Sequence, residues 1–391
     1  MKTQIKKYIR ISLTGLLLTA AFLLYENYLP PAKLIHLKIY DLLNRIEYRL
    51  RKLPPGINDI IIIGIDNETV SKMPHRWPYP RSIFANVIKN LTLARAKAIA
   101  FDFVFLGRTE EAEDKALESA LAGNDKIILA CTVDDNNSLN IRSLRSLSRA
   151  VPSGIVTKLQ DSDGVIRRNL TYLVSDEIPP KGFLSWEMTI LKTVEGMDVT
   201  PVKGNERYIS IKNDKREKWM IPVDPYNKSF MINFRAHTVD FKRVSFYDAY
   251  KGNFDPNIIK DKIALVGFVS SLLGDIHNTP IGWIPGITLN ANSFLTLYTR
   301  TFIDKVPSVI VWFLTIIGVM LSIMAVLFFD TGRASAFIGA EILIFFVISY
   351  ILLTMGWTWD YFAFPFSVAL FPVLSKKIYS LIWQRKKFYW T

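Results

Sequence analysis

Apolar residues occur along the chain in two patterns: unbroken short runs, and runs that repeat every three or four residues. The unbroken runs are rich in β-branched residues and end at polar ones, which is typical of strands buried on both faces of a parallel sheet. They lie at 59–66, 98–105, 126–133 and 262–269, and helical spacing fills 81–97 and 110–125. This β-α-β order predicts an α/β fold, a wound and mostly parallel sheet with helices on both faces.

A second part of the chain, from about Asp161, alternates apolar and polar residues between turns. Alternation with period two is typical of strands with one buried face, so we expect an antiparallel insertion here. It opens with "DSDGVIRR" (161–168), which is similar to the start of a calcium loop but lacks the later Glu, so a tight turn is the better interpretation.

Four longer apolar segments predict helices that cross a membrane, since about 20 apolar residues span the hydrocarbon layer. They are Ile11 to Tyr25, Val306 to Phe329, Ala336 to Met355 and about Trp357 to Ile378. The first could instead be a cleaved signal peptide, but we favour an uncleaved anchor. The third holds Glu341, for which we expect either a hydrogen bond to Ser322 or Ser367, or a part in signal-linked helix motion.

Charge decides the orientation of these segments. The 391 residues carry a net charge of +13, and much of the excess lies at the two chain ends: Lys2, Lys6, Lys7, Arg10, Lys376, Lys377, Arg385, Lys386 and Lys387. Basic residues beside membrane segments stay in the cytoplasm, so four crossings predict that both termini are cytoplasmic. No nucleic-acid-binding motif is visible, and the single Cys131 excludes an intrachain disulfide.

The domain organisation follows from this topology. We expect a basic end and anchor (1–27), an extracytoplasmic sensory domain (28–304), three further transmembrane helices (305–379) and a short cytoplasmic tail (380–391). The protein would therefore be a multi-pass protein of the cell (inner) membrane.

An amphipathic helix is predicted directly after the anchor, from Ala32 to Leu53. Its apolar residues recur at spacings of three and four: Ile35, Ile39, Leu42, Ile46, Leu50 and Leu53. This stripe either packs on its own domain or forms the seam of a homodimer.

Candidate ligand-binding residues follow the predicted strands, where wound sheets bind their ligands. Asp66 and Asp102 come at or near the ends of the first two strands, and Ser270, Asp275 and His277 follow the late one. Trp77, in "RWPYPRS", is an exposed aromatic that could line a pocket. Asp275 and His277 have three interpretations: bracing of a loop, contact with a ligand or metal, and catalysis. We assign no catalytic residue and leave metal and cofactor open.

Taken in order, several stretches resemble the CHASE2 family of extracytoplasmic sensory domains over about Ala32 to Thr301, with three membrane segments following. The stretches are "YDLLNRI", "DIIIIGIDNETV", "RWPYPRS", "AKAIAFDFVF", "DSDGVIRR", "VSFYDAYKG", "KIALVGFVSSLLGDIHNTP" and "IPGITLNANSF". The resemblance implies a sensor that regulates a cytoplasmic output such as a nucleotide cyclase, a protein kinase or a diguanylate cyclase.

The chain departs from that pattern because only "YSLIWQRKKFYWT" follows Ile378, too short for an output domain. We therefore expect a non-enzymatic receptor subunit that acts on a separate cytoplasmic effector, or a truncated chain. The alternatives are an envelope scaffold without a ligand, and an exported metal-assisted hydrolase using Asp66, Asp102, Asp275 and His277.

Overall fold

The computed structural model describes residues 2–132, 151–174, 182–201, 206–270 and 274–385. The chain divides into two compact units, one formed by 1–47 with 304–391 and the other by 48–303. Among the described residues the helices are, in chain order, α1 (Lys2–Tyr25), α2 (Pro30–Leu50), α3 (Asn67–Lys72), α4 (Arg81–Leu93), α5 (Glu111–Leu121), α6 (Trp186–Glu195), α7 (Phe246–Lys251), α8 (Gly286–Tyr298), α9 (Ser308–Phe328), α10 (Thr331–Thr354) and α11 (Ala363–Arg385).

The strands of the described residues fall mostly within the 48–303 unit. In chain order they are β1 (Ile60–Ile65), β2 (Ala98–Phe101), β3 (Ile127–Cys131), β4 (Ser153–Ile155), β5 (Leu159–Gln160), β6 (Ile166–Leu170), β7 (Tyr172–Val174), β8 (Gly182–Leu184), β9 (Met197–Pro201), β10 (Tyr208–Asn213), β11 (Lys218–Pro222), β12 (Ser229–Met231), β13 (Lys242–Ser245), β14 (Ile263–Phe268), β15 (Ile276–Thr279), β16 (Gly282–Pro285), β17 (Asp304–Lys305) and β18 (Trp357–Thr358).

The central sheet has six parallel strands in the order β13-β1-β14-β2-β3-β4, which confirms the predicted α/β class with a parallel sheet and helices. Alternate residues of β1 enter two separate cores. Ile61 and Ile63 pack with α4, α5 and α7 on one face, and Ile60 and Ile62 pack with α6 and α8 on the other. Because both faces are covered, the strands are apolar without alternation.

The late strand β14 is inserted between β1 and β2, so residues far apart in sequence become neighbours at one sheet edge. The second strand is shorter than predicted, since it ends at Phe101 rather than at Phe105. Beyond it the chain leaves the sheet, and Phe103 and Phe105 turn into the α4 core. Cys131 ends β3 and is buried in the sheet.

The antiparallel part forms small sheets beside the main one, β5-β6-β12 and β9-β10-β11. "DSDGVIRR" makes a turn closed by Gly164 N donating to Asp161 O at 2.9 Å, with Gly164 in the left-handed region at φ 75°. Arg167, fully buried, donates to Asp161 and Asp163 at 2.8–2.9 Å. The two acids of the turn are therefore occupied by an arginine of the following strand.

The other unit contains helices that are long and apolar enough to cross a membrane. Within the described residues these are Gln4–Tyr25, Ser308–Phe328 and Thr331–Thr354, three rather than the four expected. The segment expected to span at 357–378 is instead the helix α11, which contains Lys376, Lys377 and Pro372. By length and composition alone it does not qualify, because the two lysines lower its mean hydropathy.

Packing within this unit joins α1, α9 and α11 around a shared apolar core of Ile11, Val319, Ile323, Val368 and Phe371. Glu341, in the candidate span α10, accepts a hydrogen bond from the Ser322 hydroxyl of α9. This is one of the two serine partners expected for it, and it satisfies a polar group that would be costly to leave alone in hydrocarbon.

The helix α2 begins at Pro30, close to its predicted start. Its burial does not agree with the expectation that the apolar stripe packs on its own domain. Leu42 and Ile46, in the predicted apolar stripe, are exposed. The buried side contains Leu37 and Tyr40 together with polar residues. The predicted apolar stripe therefore does not pack against the rest of this chain.

Candidate functional site

A groove opens at the carboxyl ends of β14 and β2, where the strand order places Phe268 beside the segment after Phe101. Its volume is about 930 Å³. One wall is aromatic: the Trp77 ring lies 5.3 Å from that of Phe103 and 4.8 Å from that of Phe268. Trp77 remains 38% exposed, so a large apolar surface faces the groove.

Asp102 supplies an acid to this groove. Its backbone N–H donates to Val266 O at 2.8 Å, which holds it at the end of the sheet. Its carboxyl oxygen Oδ2 accepts a hydrogen bond of 2.8 Å from Asn290 Nδ2 of α8. Two of the predicted residues, Trp77 and Asp102, therefore line one groove.

The carboxyl of Asp102 has an unusual proton affinity. Burial, together with the negative charges of Asp275 and Glu187, raises the pKa of Asp102 to about 8, against the lowering effects of Lys158 and of the Asn290 hydrogen bond. Near neutral pH the group therefore holds its proton, and it presents both a hydrogen-bond donor and an acceptor to the groove.

The Asp275–His277 pair lies beside this acid, at the start of the β15–β16 hairpin. His277 Nε2 and Asp275 Oδ1 are 2.9 Å apart. The Asp275 backbone carbonyl accepts from Gly286 N at 3.0 Å, and a Cβ on Gly286 would lie 2.3 Å from the Asp275 carboxylate. A carboxylate at the first turn of α8 is favourable because the helix N-terminus carries positive partial charge. These contacts are those of a brace between hairpin and helix.

The family model of the CHASE2 domain matches residues 13–329. The chain belongs to the CHASE2 domain family. CHASE2 domains are sensory, non-catalytic and extracytoplasmic in membrane proteins, which agrees with the helices long enough to span a membrane. No curated protein and no solved structure gives a significant match to the chain.

Two predicted residues of this CHASE2 domain lie in other contacts. Asp66 begins α3, and its Oδ1 accepts from Thr69 N and Oγ1 at 2.8 Å each and from Ser245 Oγ at 2.9 Å. It lines a separate cavity of about 380 Å³. Ser270 donates to Asn67 Oδ1 at 2.6 Å. Neither residue lines the groove of Trp77 and Asp102.

Sequence reasoning missed a polar network in the CHASE2 domain behind Asp102. Lys158 and Glu187, whose side chains are 6% and 0% exposed, form an ion pair of 2.8 Å. The second carboxylate oxygen of Glu187 accepts from Asn169 Nδ2 at 2.7 Å, and Asn169 also donates to Ser293 of α8 at 2.7 Å. The only available signal was "NANS" at 290–293, polar residues in an otherwise apolar helix.

Metal ligation in the CHASE2 domain was the basis of the hydrolase alternative. In the stretches of chain that the structure describes, no three His, Cys, Asp or Glu side chains are grouped so as to hold a metal ion. The four residues named for that alternative are instead divided between the contacts of Asp66 and the Asp102–Asp275 neighbourhood.

Proposed function

We propose that this chain is a membrane-bound sensory subunit that binds a small extracytoplasmic ligand and passes the change to a separate cytoplasmic effector, such as a cyclase or a protein kinase. One observation carries the proposal: the sheet of a CHASE2 domain opens into a groove lined by aromatic residues and by the carboxyl of Asp102, whose pKa is raised. Grooves with apolar walls and few convergent polar groups are typical of small-molecule sites.

The ligand chemistry follows from the groove. The wall of Trp77, Phe103 and Phe268 suits a flat or apolar face, and Asp102 suits a polar group that both accepts and donates hydrogen bonds. A ligand signals only by favouring one of two states. Its effect on Asp102 would reach Asn290 on α8, and α8 is followed along the chain by the candidate span α9.

Ligand binding is tested by melting the purified full-length protein with a library of small polar aromatic and aliphatic compounds. A ligand present at about 100 times its Kd should raise the free energy of unfolding of the protein by about 2.7 kcal/mol. We expect Trp77→Ala to remove the stabilisation, because it deletes the exposed wall of the groove.

Trp283→Ala is the matched control, since Trp283 is also exposed and does not line the groove. A compound that stabilises both variants equally binds elsewhere. The proposed site is wrong if every compound behaves in that way or if none stabilises the wild type.

We further propose that α11 is a fourth crossing, which places both termini in the cytoplasm and 28–304 outside. The support comes from packing within the helical unit. The Tyr8 ring of α1 lies 5.4 Å from Phe328 at the end of α9, and Lys376 Nζ donates to Val326 O at 3.1 Å. The basic start of α1 and the lysines of α11 thus lie near the same end of α9.

Length is also sufficient for this crossing. The 23 residues of α11 measure about 34 Å, more than the hydrocarbon thickness of about 30 Å. Lys376 and Lys377 are the fourteenth and fifteenth residues of α11, about 20 Å from its start, and their long side chains can extend the ammonium groups toward the interface.

A fluorescent protein that folds only in the cytoplasm, fused after Thr391, tests this topology. We expect bright cells, since α11 returns the chain to the cytoplasm. A fusion after Met355, before α11, should be dark and is the control. Dark cells from both fusions would show that α11 does not cross and would contradict the four-crossing arrangement.

The effector and a homodimer remain predictions. Crosslinking from a photoreactive residue in the cytoplasmic tail should capture a cyclase, kinase or similar enzyme in a native membrane. Capture of envelope proteins alone would favour a scaffold instead. Light scattering of the purified protein measures whether it is a dimer.

A further inference from the structure

A further cavity lies at the amino ends of the sheet strands, at the edge opposite the groove of Trp77 and Asp102. Its volume is about 670 Å³. Lys97 and Lys126 come directly before β2 and β3, and Ser153 is the first residue of β4. Because these three strands are parallel neighbours, the three residues lie side by side along one edge of the sheet. The cavity is therefore separate from the groove, which lies at the carboxyl ends.

The helix α6 closes the other side of this cavity. Gly154 allows its close approach, because a Cβ at this position would lie 2.4 Å from the Cα of Trp186. Thr189, Lys192 and Thr193 are three and four residues apart, so they lie on one side of α6, and all three line the cavity. Apolar side chains complete the lining: Pro152, Phe183, Leu184 and Val194. The cavity thus combines basic, hydroxyl and apolar groups.

The basic groups of the lining come from different elements. Lys126 and Lys192 are exposed, and in the described part of the chain neither forms an ion pair with a carboxylate. Lys97 also lines the cavity, but it has other interactions: its ammonium group lies 5.9 Å from the centroid of the Tyr298 ring, and its charge acts on Glu195. The positive charge available to a ligand is therefore that of Lys126 and Lys192.

A buried hydroxyl belongs to the same lining. The Oγ atom of Ser153 is buried and has no hydrogen-bond partner among the described residues. A buried polar atom without a partner is costly, and a bound ion or water commonly supplies the partner. The hydroxyls of Thr189 and Thr193 instead donate within α6, to Ser185 O and Thr189 O at 3.0 Å each. Ser153 is thus the lining hydroxyl that is ready to donate to a bound group.

We propose that this cavity binds a small organic anion with at least two negative charges, such as a phosphate monoester or a dicarboxylate. The ammonium groups of Lys126 and Lys192 pair with the charges, and the Ser153 hydroxyl donates to an anionic oxygen. The apolar residues of the lining contact the carbon part of the molecule. Asp125 opposes the anion, but the lysines of the lining outnumber it.

The test is calorimetric titration of the full-length protein in detergent with glycerol 2-phosphate, with succinate and with neutral glycerol. We expect saturable binding of one or both anions and none of glycerol. The affinity should fall as salt is added, since salt screens exposed charges. Binding of one anion alone identifies which of the two classes fits. The proposal is wrong if neither anion binds saturably, or if glycerol binds as well as the anions do.

Two substitutions locate the binding. Lys126→Gln/Lys192→Gln should weaken it by about tenfold or more. Lys89→Gln/Lys260→Gln removes the same charge from exposed positions outside the cavity and should leave the affinity unchanged. Ser153→Ala deletes only a hydroxyl that has no partner among the described residues, and it should weaken binding by about tenfold. Equal affinities of the two lysine variants, or an unchanged affinity of Ser153→Ala, would overturn the proposal.

Discussion

Asp102→Asn should stabilise the protein at about pH 8 by several kcal/mol, while changing its stability little near pH 4. The folded state holds the pKa of Asp102 at about 8, well above the value near 3.9 of an unfolded aspartate. The folded state therefore binds the extra proton between these values, and the wild type loses stability as the pH rises through this window. Asparagine has the same shape as aspartic acid and carries no charge, so the stability of the variant should not fall as the pH rises.

The measurement is urea unfolding of the full-length protein in detergent at a series of pH values, compared between variant and wild type. The difference should grow by up to about 1.4 kcal/mol per pH unit and level off above about pH 8. Asp125→Asn, which removes an exposed carboxylate, controls for the change in net charge. A difference that is flat across the range would mean that Asp102 is ionised in the folded protein.

Arg167→Met should lower the free energy of unfolding of the 48–303 unit by about 3–5 kcal/mol, the usual cost of removing one partner of a buried ion pair. The Arg167 side chain is fully buried and donates to both Asp161 and Asp163. Without it, the two carboxylates remain beside each other at the turn and lose the buried guanidinium that joins them.

The neighbouring arginine provides the matched control. Arg168 is partly exposed and reaches Asp161 and Asp224 only at 3.3 and 3.8 Å. Arg168→Met should therefore cost no more than about 1 kcal/mol. Adding Asp161→Asn and Asp163→Asn to Arg167→Met should recover part of the loss. Equal effects of the two arginine substitutions in urea unfolding would contradict this account.

The parts of the fold that were predicted correctly depend on local patterns. The runs at β1, β3 and β14 and the helical spacing of α4 are visible in any short window. The end of β2 was not predicted correctly, because the chain leaves the sheet at Asp102, whose carboxyl accepts a hydrogen bond from Asn290, 188 residues away. The Lys158–Glu187 pair and Asn169 were missed for the same reason: their partners are set by tertiary packing.

Two expectations about helices differ from the structure, because a helical pattern does not show which neighbours cover each side of the helix. Packing of the α2 stripe on its own domain was one of two expectations, and it is not met because Leu42 and Ile46 are exposed, while the homodimer seam stays a prediction. The segment 357–378 was counted as a span from its apolar residues, but α11 contains Lys376, Lys377 and Pro372 and is not among the candidate spans of the described residues. Trp77, by contrast, lines a groove, as its exposed aromatic motif allowed, and its role in ligand binding stays a prediction.

The position of Cys131 makes thiol labelling of this protein simple. It is the chain's single cysteine, it is buried at the end of β3, and burial raises its pKa to about 11. Reaction with maleimides needs an accessible thiolate, which this residue lacks at neutral pH. Cysteines introduced at the surface can therefore be modified selectively in the wild-type background, without first replacing the native one.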